Sequence, residues 1–237
     1  MRKYFEKLFK GSKADFLKIT KNNLLENKKM FIVTANPEAF MTAKKDNTLH
    51  SLLTDPEVDV VADGIGIVKG ANIVGLPVTE RIPGIDIAHA LLKFGSENKK
   101  SVFLFGANAE VIEALCKVLQ KDYSGLKIIG AVNGYVNDKD AVFEEMKKLS
   151  PDIVLVALGI PTQEKLIYKH YADFTKGIFV GVGGSFDVLS GAKSRAPEFF
   201  IKHNLEWLYR ITKEPKRLKR FYNSNVKFLL KLNSCKK

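Results

Sequence analysis

An α/β fold, with a mostly parallel sheet covered by helices on both faces, is predicted by three features of the 237-residue sequence. Short apolar runs alternate with amphipathic stretches along most of the chain. The runs are apolar throughout, not at every second residue, as in strands buried on both faces. Almost every run stops at a small or polar cluster, where a strand would give way to a helix. The length suits one large α/β domain or one domain with an appendage, and 46% hydrophobic residues is ordinary for a globular chain.

In chain order, Ser12 opens an amphipathic helix over 14–25, with Phe16, Leu17, Ile19, Leu24 and Leu25 as its apolar residues. Residues 30–35 form a strand that ends at Asn36-Pro37. Pro37 suits the first turn of a helix and Asn36 its N-cap, and that helix is expected to reach about Leu53. The strand over 58–63 carries β-branched Val58, Val60 and Val61 and stops on Asp63-Gly64. Pro83-Gly84 reads as a turn before a helix over 86–94. Strands follow at 101–105, 126–131, 153–158 and 177–182, with helices between them, one through Lys121, one over about 139–149 and one after Gln163-Glu164. The strand ends, at Thr34/Asn36, Asp63/Gly64, Gly106, Gly134, Gly159/Gln163 and Gly183/Gly184, are expected to converge on one edge of a Rossmann-like sheet and form a single pocket there.

After Gly191 the character changes. Residues 193–237 hold thirteen of the Lys and Arg residues against three acids, so most of the net charge of +12 sits there and the first 192 residues are nearly neutral. One helix is expected through Phe199, Phe200, Ile201, Leu205, Trp207, Leu208 and Ile211, with Pro215 interrupting it, and a second over 216–232 that mixes cations with Leu218, Phe221, Val226, Phe228 and further leucines. The chain is thus read as an α/β domain over 1–192 and a basic, amphipathic appendage over 193–237. Such asymmetry suggests a polyanion. Apposition to an anionic membrane accounts for both the charge and the leucines. RNA binding would account for the charge, with Phe221 and Tyr222 as stacking residues, but not for the leucines.

Two cysteines, Cys116 and Cys235, fit no metal spacing or disulfide framework, so a reducing cytosol is the default. The four histidines are scattered and read as surface or core-edge residues. No signal-peptide pattern and no run of 18 apolar residues is present.

The residues that carry chemistry are few. Asp63 at a strand's carboxyl end is a candidate general base, or else the cap of the next helix. Gly64-Ile65-Gly66 and Gly106-Ala107-Asn108 lack the spacing of a dinucleotide fingerprint, so no nicotinamide enzyme is inferred. Helix starts after such turns still suit a diphosphate. Asp138-Lys139-Asp140 has the form of a metal-holding D-x-D, but it begins a helix and reads as capping. Arg210, Arg217 and Arg220 carry forks suited to phosphate, or else form a solvated basic face.

Taken together, the motifs resemble the WecG/TagA/CpsF glycosyltransferases. The matching segments include Thr34-Ala35-Asn36, Ala62-Asp63-Gly64, Glu80-Arg81-Ile82-Pro83-Gly84-Ile85-Asp86, Asn133-Gly134-Tyr135, Leu158 to Glu164, Gly181 to Asp187, Arg195-Ala196-Pro197 and Leu205-Glu206-Trp207-Leu208-Tyr209-Arg210. They run in family order from about residue 30 to 220, and the ordered set is specific where no single motif is. The resemblance implies an inverting transferase at the cytoplasmic membrane face. Its donor would be a UDP-linked N-acetylmannosamine-type sugar and its acceptor undecaprenyl-diphosphate-linked N-acetylglucosamine, as in wall teichoic acid linkage-unit synthesis. It implies Asp63 as base, Arg210, Arg217 and Arg220 as stabilisers of the leaving diphosphate, and Thr34, Asn36, Arg81 and Gln163 as pocket positions, to which Gly64, Gly106, Gly134, Glu164 and Gly184 are added as substrate-binding candidates at the strand ends. Arg81 is equally readable as a structural partner of Asp86. The resemblance implies no metal and no cofactor. It also implies an appendage that covers the pocket at the membrane, with self-association expected to hide its apolar face in solution. Readings still open are a family member using the uronic acid or another hexose, a nucleic-acid-binding protein, and a nucleotide-binding module without catalysis.

Overall fold

The computed structural model describes residues 1–233, apart from the side chains of Arg217, Arg220 and Asn233. Cys235 lies outside the described residues. Six strands, β1 (Lys29–Ala35), β2 (Val58–Ala62), β3 (Ser101–Gly106), β4 (Lys127–Val132), β5 (Ile153–Ala157) and β6 (Gly177–Gly181), form one sheet in the order β2-β1-β6-β5-β3-β4. Every pairing is parallel, as predicted, so all six carboxyl ends lie on one edge. The connection after β3 leads outward to β4, and the one after β5 leads back to β6. The chain therefore leaves these neighbouring strands in opposite directions.

The helices of the body are α1 (Arg2–Glu6), α2 (Lys13–Leu25), α3 (Pro37–Ala43), α4 (Asn47–Thr54), α5 (Ile65–Ile73), α6 (Gly84–Glu97), α7 (Ala109–Asp122), α8 (Lys139–Leu149), α9 (Thr162–His170) and α10 (Ser185–Leu189). Period-two alternation divides the strand side chains between two cores. Phe31, Val33, Val58, Val60, Phe103, Phe105, Val154, Val156 and Phe179 face α1, α3, α4, α5, α8 and α9. Ile32, Val61, Val102, Leu104, Leu155 and Val180 face α2, α6, α7 and α10. Burial on both faces is the physical reason the strands read as unbroken apolar runs.

Several boundaries differ from the sequence reading. The helix expected from Pro37 to Leu53 is two helices, because Asp46 starts a new one by accepting the Leu49 N–H at 3.0 Å. The Ser12 cap is a full capping box with Asp15. The short α1 was not foreseen. It buries Tyr4 and Phe5, and the chain after it pairs with β2 through Leu8 and Val60.

The basic segment continues as α11 (Glu198–Lys202), α12 (Glu206–Lys213), α13 (Arg217–Phe221), a π-helical turn over Tyr222–Val226, and α14 (Lys227–Asn233). The single helix expected through Phe199 and Ile211 is broken at Asn204, whose φ is 58°. The segment is docked on the body: Phe228 and Leu232 are fully buried in the first core. The Phe228 ring lies 6.1 Å from Phe5 and 6.2 Å from Phe40, and Leu232 meets Gly70 of α5. These two side chains are therefore covered by their own chain, where a second copy was expected to hide them. Phe199, Leu218, Leu229 and Leu230 remain exposed. Among the described residues, no helix is long and apolar enough to cross a membrane.

Candidate active site

Asp63 follows β2 directly, and its N–H donates to the Ala35 carbonyl at 2.8 Å. The Ile82 N–H donates to the Ala62 carbonyl at 2.7 Å, which pins the loop carrying Arg81 beside the end of the same strand. Gly64 turns the chain away at a φ of 107°, a backbone region that side chains disfavour. Gly64, not Asp63, occupies the N-cap of α5, and no side chain caps that helix. Capping therefore does not explain Asp63. Among the described residues its carboxylate has no ion pair or hydrogen-bond partner.

Burial pushes the Asp63 carboxyl up to about 6. Arg210 and then Arg81 pull in the opposite direction, and Glu206 and Asp86 add to the rise. Both arginines thus act on the carboxylate, one from the pinned loop and one from α12. The group lies deep in the fold with part of its surface open. It can hold a proton near neutrality and release it again.

Around this centre runs a chain of alternating charges. Lys13 of α2 donates to Asp86 of α6 at 3.1 Å, and Arg195 donates to the other Asp86 oxygen at 2.7 Å. Arg195 Nε lies 3.7 Å from Glu206, and Glu206 pairs closely with Arg81. Despite burial, Arg195 and Lys13 hold the Asp86 carboxyl below the usual range. The alternative partner for Arg81, Asp86, is thus corrected: Asp86 belongs to Lys13 and Arg195, and Arg81 belongs to Glu206 of the basic segment. Glu206, Arg195 and Lys13 were given no role from sequence, although Glu206 and Arg195 sit in the resembling motifs.

The centre of the sheet edge is built more tightly. The buried Thr34 hydroxyl donates to the Gly181 carbonyl at 3.2 Å. Asn36 caps α3, its side-chain oxygen accepting the Ala39 N–H at 2.9 Å. Gln163 is almost fully buried, and its oxygen accepts the N–H groups of Gly159 and Gly183, each at 3.0 Å. Its amide nitrogen donates to Glu164 at 2.7 Å. The other Glu164 oxygen is buried without a partner, and burial first, with Glu38 adding to it, pushes this carboxyl up to about 7. Gly184 sits at the start of α10.

Gly106 and Gly134 belong to the other half of the edge. A side chain on Gly106 would collide with the Ala157 carbonyl, and Gly134 donates its N–H to Ala107 at 2.8 Å. With strands spaced about 4.8 Å apart, β4 lies roughly 24 Å from β2 along the edge. The structure thus brings Asp63, Arg81 and Arg210 together, sets Thr34, Asn36, Gln163 and Glu164 beside them, and packs Gly134 against Gly106 on the other half of the edge. The side chains of Arg217 and Arg220 lie outside the described residues.

Asp138 caps α8, accepting the Ala141 N–H at 2.9 Å, and Asp140 pairs with Lys169 and His170. Among the described residues, Glu144, His170 and Asp173 place ligand atoms within 4.8 Å of one another, and this set includes no residue named above at the sheet edge.

The profile of the glycosyl transferase WecG/TagA/CpsF family matches residues 7–237. The chain belongs to this family. A relative from Bacillus spizizenii is 40% identical over 195 residues, covering 82% of this chain and 76% of its own. One from Bacillus subtilis is 39% identical over 189 residues, covering 80% and 73%. A third, from Staphylococcus aureus, is 37% identical over 209 residues, covering 88% and 81%. All three are named N-acetylglucosaminyldiphosphoundecaprenol N-acetyl-beta-D-mannosaminyltransferase. The family profile takes in the body from just after α1 onward and the whole basic segment, including α12, which brings Glu206 and Arg210 to the edge.

Proposed function

We propose that this chain transfers N-acetylmannosamine, with inversion, from its UDP donor to undecaprenyl-diphosphate-linked N-acetylglucosamine. The observation that carries the reading is the Asp63 carboxyl, without a partner among the described residues and pushed up to about 6 at a strand's carboxyl end, within the field of Arg210 and Arg81. The relatives' shared name supplies the substrates.

Inversion is one in-line displacement. The acceptor hydroxyl oxygen attacks the anomeric carbon, and the bond from that carbon to the diphosphate oxygen breaks. The bond's electrons leave with UDP, and Asp63 takes the hydroxyl proton. A base titrating near 6 is mostly ionised at neutral pH, yet is a stronger base than an ordinary carboxylate. Negative charge grows on the diphosphate as it departs, and Arg210 stands on the segment facing the base, placed to stabilise it, with Arg217 and Arg220 assigned to the same task. Thr34, Asn36, Gly64, Arg81, Gly106, Gly134, Gln163, Glu164 and Gly184 form the walls that hold the two sugars in register. The basic segment is an appendage that meets the inner face of the bacterial membrane, where the lipid-linked acceptor resides. The protein self-associates in solution through the apolar residues of this segment that its own chain leaves exposed.

The test is sugar transfer from UDP-N-acetylmannosamine to a short-chain lipid-diphosphate-N-acetylglucosamine, comparing wild type with Asp63→Asn in EDTA. Transfer by wild type that falls at least about 100-fold in the variant is expected for loss of a general base. No transfer by folded wild-type protein, with this donor or with the uronic acid, would refute the reading.

A further inference from the structure

Two arginines act on Asp63, and a carboxylate paired with arginine is a poor base, because the positive charge favours its ionised form. Yet among the described residues Asp63 has no ion-pair partner. The reason lies in Glu206. Although it sits on the basic segment, Glu206 is only 7% exposed, and one of its oxygens pairs with Arg81 while the other faces Arg195 at 3.7 Å. Arg195 is anchored in turn by Asp86, and Asp86 by Lys13. The Arg81 guanidinium is therefore already engaged, on a carboxylate held in place through Arg195, Asp86 and Lys13. Glu206 and Arg210 also lie four residues apart on α12, so they share a helix face. Seating Glu206 on Arg81 turns Arg210 toward the same centre.

We propose that Glu206 is a positioning residue for the transfer: by engaging Arg81 it keeps that guanidinium beside Asp63 without letting it pair with the base. The inference rests on the transferase reading above and assigns a role in it to an acid of the basic segment. Among the described residues, the charged groups facing Asp63 are Arg210 and Glu206 from α12, Arg81 from the loop before α6, and Asp86 from α6. Docking of the segment has its own anchor in Phe228 and Leu232, so neutralising Glu206 frees Arg81 without detaching α12.

The experiment is Glu206→Gln, which keeps size and shape, read in two ways. The Asp63 carboxyl is titrated by carbon NMR, and the pH profile of kcat/KM is measured for the transfer. Released from Glu206, Arg81 turns to Asp63. The carboxyl then titrates at lower pH than in wild type, the acid limb of the profile moves down with it, and the plateau falls about tenfold as the base weakens. In an Arg81→Ala background the same substitution moves the titration much less, since the effect travels through Arg81. An unmoved or raised titration in Glu206→Gln would overturn the proposal, because a merely loosened segment would carry Arg210 away and raise it. An equal fall with and without Arg81 would also overturn it. Absence of transfer by wild type refutes the reaction instead, and the NMR titration still decides the role of Glu206.

Discussion

Asp63 is a side chain whose burial works against the fold. Its carboxyl titrates near 6 in the folded protein against 3.8 when unfolded, so between those values the folded state holds the extra proton. Stability therefore falls as pH rises from about 4 to about 6, and the loss is complete above that. Asparagine carries no charge to bury. Asp63→Asn is thus expected to be more stable than wild type at pH 8 by about 1–3 kcal/mol, with the gain gone near pH 4. Denaturant melts across that range measure it, and equal stability at pH 8 would mean that the carboxylate is well solvated. The sequence marks Asp63 because an acid before Gly-x-Gly at the end of a valine-rich run is a local pattern. Glu206 is not legible in that way. It is one acid in a basic segment, and its partner Arg81 lies far away in the chain, so only the docked helix joins them. Gln163 is intermediate: its motif is visible, but its two backbone N–H donors come from separate turns that meet only in the folded sheet edge.

At the level of elements, the six strands were legible within a residue or two, because most are buried on both faces and composition marks them, while the edge strand β4 is marked by its apolar run alone. Helix breaks were less so. The turn between α3 and α4 rests on the Asp46 cap, one side-chain bond within a stretch whose helical pattern otherwise continues. The relation of the basic segment to the body was the least legible, since Phe228 looks like its exposed neighbours until α1 and α3 supply Phe5 and Phe40. Phe228 and Leu232 are the segment's apolar anchors. Phe228→Ala is expected to cost about 3–5 kcal/mol of docking. The outcome to look for is cleavage within the segment by dilute protease while the body survives, with transfer reduced and Asp63 intact. A variant as protease-resistant as wild type would show that the anchor lies elsewhere.

The molecule as a whole is a neutral body carrying a cationic, partly apolar face. Phe199, Leu218 and Leu230 are 61%, 57% and 63% exposed among the cations of the same segment. Each cation near an anionic leaflet is worth about 1 kcal/mol, within the reach that salt allows. Vesicles rich in phosphatidylglycerol are expected to bind the protein, neutral vesicles much less, and added salt to weaken the binding. Equal binding to both kinds would leave the charge without a role, and tighter binding to RNA than to vesicles would favour a nucleic-acid partner. The parallel sheet and its site-bearing edge were legible from sequence at this scale. What was not legible is how far apart the strand ends lie: a list of turns carries no distances, and strand order sets β2 and β4 at opposite ends of the sheet.

The trio of Phe5, Phe40 and Phe228 has a bearing on how the protein is made. A ribosome releases the first two rings almost a full chain length before the third. Until α14 emerges, the nascent body must wait with an apolar facet uncovered and with neither Glu206 nor Arg210 at its acid. Synthesis and the proposed activity are thereby tied together, for the stretch that brings Glu206 and Arg210 to Asp63 is anchored by residues translated after it, and a product cut short by premature termination would keep that apolar facet bare.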